Sequence, residues 1–169
     1  MITLFEKFEK KPDLNVVSPE FWKMARTVNW KKVAKDYTEN PNGYNDFFRK
    51  AQERVYKKYD FTQIRQFEKE CHDLYQQLSE YFRSTWLDDR YSKFMPSDDG
   101  YWDLLSLIIG FGKGFLIKCI NDKKEFVKVA KEYNYVENFS YLFIVDEKEY
   151  IKIRSRVDPF FRDIKKYNI

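Results

Sequence analysis

Ser97-Asp98-Asp99-Gly100-Tyr101-Trp102-Asp103-Leu104-Leu105-Ser106-Leu107-Ile108-Ile109-Gly110-Phe111-Gly112-Lys113-Gly114-Phe115-Leu116-Ile117-Lys118-Cys119 reads as one helix, and that reading decides the fold. Ser97 is an N-cap, because its hydroxyl oxygen can accept from a free amide of the first turn. Asp98 and Asp99 put negative charge at the positive end of the helix dipole. These three residues are expected to serve the helix start. The segment is apolar on nearly all sides, so it should be the central, most buried helix, about 98–119, unavailable to any partner. Gly110, Gly112 and Gly114 cost about 1 kcal/mol each relative to alanine. Their place in the run is explained if they let neighbouring helices approach, with a kink as one consequence. Asn121-Asp122 closes the segment, and Asn121 is expected to cap the next helix, with Phe126, Val127, Ala130 and Tyr133.

Outward from this segment the chain stays helical. Of its 169 residues 20% are aromatic, and only 5 are Gly and 5 Pro, which favours long helices over a loop-rich fold. Ser18-Pro19-Glu20 starts a helix, with Ser at the cap and Pro at the first helical position. Phe21, Trp22 and Ala25 follow at helical spacing; Trp30, Val33, Ala34 and Tyr37 either prolong that helix or form a second one. Asn40-Pro41-Asn42-Gly43 is a turn. A helix from Tyr44 or Asn45 carries Phe47, Phe48, Ala51 and Val55. The next, capped by Thr62, repeats Phe61, Ile64, Phe67, Cys71, Leu74, Leu78 and Phe82 every three or four residues. Its opposite face carries Arg65, Glu68, Lys69, Glu70 and Asp73. Near 139–154 two readings stand. Tyr141 to Val145 is β-prone and could pair with Tyr150, Ile151 and Ile153 as a short β element, whereas the all-helical context favours one long helix. Asp158-Pro159 starts a last helix with Phe160, Phe161, Ile164 and Tyr167. The expectation is a mainly α fold: residues 1–169 as a single-domain bundle of five to seven helices.

The central segment resembles a bacterial family of unknown function, domain of unknown function 4240. The resemblance rests on Ser97, Asp98, Asp99, Gly100, Tyr101, Asp103, Leu104, Ile108, Ile109, Gly112 and Lys113, within residues 97–126. Phe21-Trp22 after a helix start, and a Phe-rich helix before an acidic loop, are similar to that family more loosely. The chain departs from the pattern at Leu105, where the family usually has Arg, at Leu107 in place of Trp, and at Lys123 in place of Pro. The family has no established activity, so the resemblance implies a fold and a bacterial setting rather than a reaction.

The net charge is +4 and the pI about 8.8, with basic ends and a slightly acidic middle. Cys71 and Cys119 fall on apolar helix stretches and read as buried hydrophobes in a reducing compartment, with a disulfide as the alternative. The opening residues, Met1 to Lys7, carry charges where a leader's apolar region would lie. The run Leu104–Ile117 is interrupted by Lys113 and falls short of the roughly 18 to 20 residues a membrane span needs. A cytoplasmic protein without a membrane segment is expected.

No catalytic signature stands out. Asp98, Asp99 and Asp103, with Asp88 and Asp89, could hold a divalent metal, but helix capping and a solvated loop account for them, and the Asp-x-Asp-x-Asp-Gly spacing of a calcium loop is absent. No metal and no cofactor are expected. His72, the sole histidine, is expected to pack on the flank of the core. It cannot pair with Cys71, because helix neighbours point about 100° apart. Gly110-Phe111-Gly112-Lys113-Gly114 has neither phosphate-loop spacing nor a preceding strand. Basic residues interleave with aromatics at Lys23, Arg26, Lys31, Lys32 and Lys35, and again at Lys152, Arg154, Arg156, Arg162, Lys165 and Lys166, as on nucleic-acid surfaces and on ordinary solvated helix faces.

These observations lead to a non-catalytic protein-binding protein, specifically an immunity-type protein that neutralises a toxin. The alternatives are a nucleic-acid-binding protein using its basic ends and a metal-dependent enzyme using the carboxylates of Asp88–Asp103. The expected docking surface is the loop before the central helix. There Trp86, Tyr91 and Phe94 would be aromatic anchors, and Asp88, Asp89, Arg90 and Lys93 a charged rim.

Overall fold

A computed structural model describes residues 11–83, 85, 96–133 and 139–162. Eight α-helices follow in order: α1 Pro19–Val28, α2 Trp30–Glu39, α3 Tyr44–Lys58, α4 Phe61–Arg83, α5 Asp98–Gly110, α6 Lys113–Asn121, α7 Lys123–Glu132 and α8 Glu147–Val157. One helical turn continues at 159–162, and no strand occurs among the described residues. The buried side chains form one cluster to which all eight helices contribute.

The count exceeds the expected five to seven because two single residues break apolar runs. Asn29 adopts φ 53°, donates its amide to the Ala25 carbonyl, and so ends α1. Asn is among the few residues that take this left-handed conformation readily. α2 starts at the next position with Trp30 buried. Gly112, at φ 97°, divides the expected 98–119 helix into α5 and α6. Of Gly110, Gly112 and Gly114, only Gly110 acts as a close-approach residue: a Cβ there would lie 2.7 Å from Trp30 Cδ1 and 2.8 Å from Phe139 Cδ2.

Capping explains the other boundaries. Ser18 Oγ accepts from the Phe21 amide at 3.1 Å and donates to Glu70 Oε2 at 2.9 Å, tying the start of α1 to α4. Glu70 is therefore buried rather than on a solvated face, and Gln66 Nε2 donates to its other oxygen at 2.9 Å. α4 is capped by Asp60, not Thr62: Asp60 Oδ1 accepts from the Gln63 amide at 2.8 Å, and Gln63 Oε1 accepts from the Asp60 amide at 3.0 Å. That reciprocal pair is a capping box. Asp122, not Asn121, caps α7 by accepting from the Lys124 amide.

The β-prone segment becomes neither strand nor one long helix. Phe139–Leu142 is a 3-10 turn, and α8 begins after Asp146, whose carboxylate accepts from the Glu149 amide at 2.8 Å. The turn drives Phe139, Leu142 and Phe143 into the core, where Phe139 and Phe143 meet Phe21. Such edge-on and tilted aromatic contacts add to the burial term. The core sits around α5, which packs against α1, α2, α4, α6, α7 and the 3-10 turn.

Four tyrosine hydroxyls fasten this packing. Tyr56 donates to the Leu142 carbonyl (2.8 Å), Tyr81 to Ile120 (2.9 Å), Tyr101 to Ser79 (2.9 Å) and Tyr150 to Tyr59 (3.0 Å). Each ties a side chain of one segment to the backbone of another through a hydrogen bond. Burial raises Tyr56 and Tyr101 well above the ordinary phenol range, so both hydroxyls stay protonated donors.

Candidate functional site

A groove of about 710 Å³ lies between α4, the first half of α5 and the segment 140–144. α4 supplies one bank from Arg65, Glu68, Lys69 and His72, with the buried Cys71 and Tyr75 beneath. α5 supplies Asp99, Trp102 and Asp103, and the buried Ser106 in the floor. Tyr141 and Ile144 form the far bank.

An aromatic ledge runs along the groove. Trp102 stacks on Tyr75 with planes 3° apart, and the His72 ring lies nearly parallel to Trp102 at 6.4 Å. His72 and Tyr75 are one helical turn apart on α4, which is why one indole meets both. His72 is exposed at this rim, not packed on the flank of the core. Trp102, Tyr141 and Ile144 remain 39%, 46% and 57% exposed, large values for side chains of this size gathered around one hollow. The first turns of the central helix thus expose Trp102 to solvent, against the expectation that this most buried helix is unavailable to a partner.

The charges are organised by helix. On α4, Arg65 pairs with Glu68, and Lys69 with Asp73, so each cation is matched by a carboxylate on its own helix. Across the groove Asp99 is exposed and has no ion-pair partner among the described residues. Ser97 Oγ accepts from the Gly100 amide at 3.3 Å and fixes the helix turn that presents Asp99. The side chain of Asp98 lies outside the described residues.

Burial pushes the Cys71 thiol up to about 12, the opposite of an activated nucleophile. His72, its neighbour in sequence, sits at the rim against Trp102. Cys119 is also buried, with a thiol pushed up to about 12, and both cysteines are free. Among the described residues no three His, Cys, Asp or Glu side chains converge as metal ligands. Asp88 and Asp89 lie outside the described residues, as do Trp86, Arg90, Tyr91, Lys93 and Phe94, the whole of the expected docking loop.

Many of the basic residues are committed within the fold. Lys23 pairs with Glu20, Lys32 with Asp36 and Lys35 with Glu39, while Lys31 lies over Phe115. Arg154 donates to the Tyr59 carbonyl at 3.0 Å and to the Tyr150 hydroxyl, and its guanidinium lies over Phe161. Lys165 and Lys166 lie outside the described residues.

No described helix is long and apolar enough to cross a membrane. No family model, curated protein or solved structure matches the chain.

Proposed function

We propose that this is a non-catalytic binding protein of the immunity type, which captures a toxin protein and neutralises it. The observation that carries the reading is the groove between α4 and α5, with Trp102, Tyr141 and Ile144 left exposed around it. Rigid aromatic side chains beside matched charges are what protein interfaces use as anchors and rim. In sequence the expected docking residues, 86–94, run through Pro96 into the α5 turn that lines the groove, so both candidate surfaces belong to one stretch of chain. The nucleic-acid reading draws less support, because Lys23, Lys32, Lys35 and Arg154 already hold protein partners. The metal-enzyme reading lacks a ligand set among the described residues.

The test is neutralisation. The genes flanking this one are searched for a toxin-bearing reading frame, a candidate found there is expressed alone and with the full chain, and growth and complex formation by size-exclusion chromatography are followed. The expected result is rescue with a stoichiometric complex, lost in the variant Trp102→Ala/Tyr141→Ser/Ile144→Ser while its melting temperature stays within a few degrees of wild type. Absence of both rescue and complex overturns the reading. Rescue that persists in the folded variant moves the interface away from the groove.

A further inference from the structure

We infer that the groove is a receptor for an arginine side chain presented by the partner protein, with Trp102 as the stacking platform and Asp99 as the counter-charge. This deepens the binding reading above and rests on it. Three observations point the same way. First, the ledge is planar and wide: Tyr75 covers one face of Trp102 and holds the indole in place, while more than a third of the residue stays open. Of the aromatic side chains, the indole attracts a cation most strongly. Second, the charge balance around the groove is uneven. Arg65 and Lys69 are answered by Glu68 and Asp73 on their own helix, so Asp99 on the opposite bank is negative charge in excess. Third, the hollow is open and its far bank is apolar at Tyr141 and Ile144, which suits the residues flanking an inserted side chain rather than an enclosed small molecule.

A guanidinium fits this set better than an ammonium. It is planar and weakly hydrated, so it can lie on the indole while two of its N–H groups face a carboxylate. Lysine is a strongly hydrated point charge and would satisfy Asp99 without using the ledge. An acidic partner segment would instead meet excess negative charge here.

Capped tripeptides Gly-Arg-Gly, Gly-Lys-Gly and Gly-citrulline-Gly are titrated into isotope-labelled full chain, following the Trp102 indole N–H and the His72 ring by NMR. Citrulline keeps the shape of arginine and removes its charge. The inference expects saturable shifts with arginine, weaker ones with lysine and none with citrulline. Asp99→Asn and Trp102→Leu should each weaken arginine binding about fivefold, with dispersed spectra certifying that the variants fold. Lys23→Gln, on α1 and away from the groove residues, should leave it unchanged. Equal shifts with citrulline, or none at Trp102 with arginine, overturn the inference. If the arginine peptide fails yet the toxin is still captured through Trp102, Tyr141 and Ile144, the binding reading stands and only the arginine assignment falls. If the peptide binds and no toxin is neutralised, the reverse holds.

Discussion

Replacing Gly110 with alanine adds one methyl group where the fold has no room for it. The new Cβ would lie 2.7 Å from Trp30 Cδ1, 2.8 Å from Phe139 Cδ2 and 2.9 Å from Phe139 Cγ. Real Cβ contacts are not that short, so something must move. Neither neighbour can retreat easily: Trp30 and Phe139 are both fully buried, and they pack on each other at 5.6 Å between ring centroids. Overpacking of this kind costs about 1 to 3 kcal/mol. Against it stands the better helix propensity of alanine, at most about 1 kcal/mol and less at the last residue of a helix. The net expectation for Gly110→Ala is a loss of about 1 to 2 kcal/mol. Two glycines nearby supply internal controls of opposite sign. Gly114→Ala enters open space within the first turn of α6 and should gain up to about 1 kcal/mol. Gly112→Ala also meets open space, but φ 97° with ψ 167° is a conformation essentially reserved for glycine and costs it about 1 to 3 kcal/mol. Urea denaturation of the three variants, fitted with a common slope, reads these differences directly. A Gly110→Ala variant as stable as Gly114→Ala would refute the close-approach argument, and a neutral Gly112→Ala would refute the backbone argument.

Removing the capping box should separate Asp60 from Thr62: Asp60→Ala is expected to cost about 1 kcal/mol, and Thr62→Ala under about 0.5, with equal melting shifts counting against the assignment. Cys71 and Cys119 should resist thiol reagents in the native state, because burial holds both near 12 against an ordinary 9.0; labelling at the rate of the urea-unfolded chain would contradict their burial. The same shift fixes a pH dependence. The thiols are protonated in the fold and ionise first in the unfolded chain, so their contribution is whole below about pH 9 and is lost as the pH rises towards about 12. Tyr56 and Tyr101, raised in the same direction by burial, add to that alkaline loss. Urea midpoints that do not fall between about pH 9 and pH 11 would count against this.

The parts of the fold readable from sequence are those fixed by local chemistry. Ser18-Pro19 announces α1 because cap and first helical position are adjacent, and α4 declares itself through six turns of apolar spacing. The break at Asn29 stood as one of two readings and that at Gly112 only as a kink, since apolar periodicity continues across both and a backbone angle decides each. Tyr141–Val145 misleads because its β-branched and aromatic content records burial of Leu142, Phe143 and Val145 rather than strand pairing. Glu70 looks like a surface residue until Ser18, 52 positions earlier, is brought to it. The groove is less legible still. His72, Trp102 and Tyr141 come from three elements, and no spacing in one dimension places them together. The one available signal was Trp102 itself, a large aromatic beside Asp99 and Asp103 at the polar end of an apolar helix.

The tyrosine ties also set a timetable for synthesis. Tyr56 reaches a carbonyl 86 residues further along the chain, and the Tyr59 carbonyl receives Tyr150 and Arg154 from 91 and 95 residues away. When α4 leaves the ribosome, none of these partners yet exists. Trp30, Phe21 and Phe67 then lack the rings of Phe139 and Phe143 that complete their surroundings. The nascent chain therefore carries an unfinished aromatic surface until residues 139–157 emerge, and it is during this interval that a chaperone would find it.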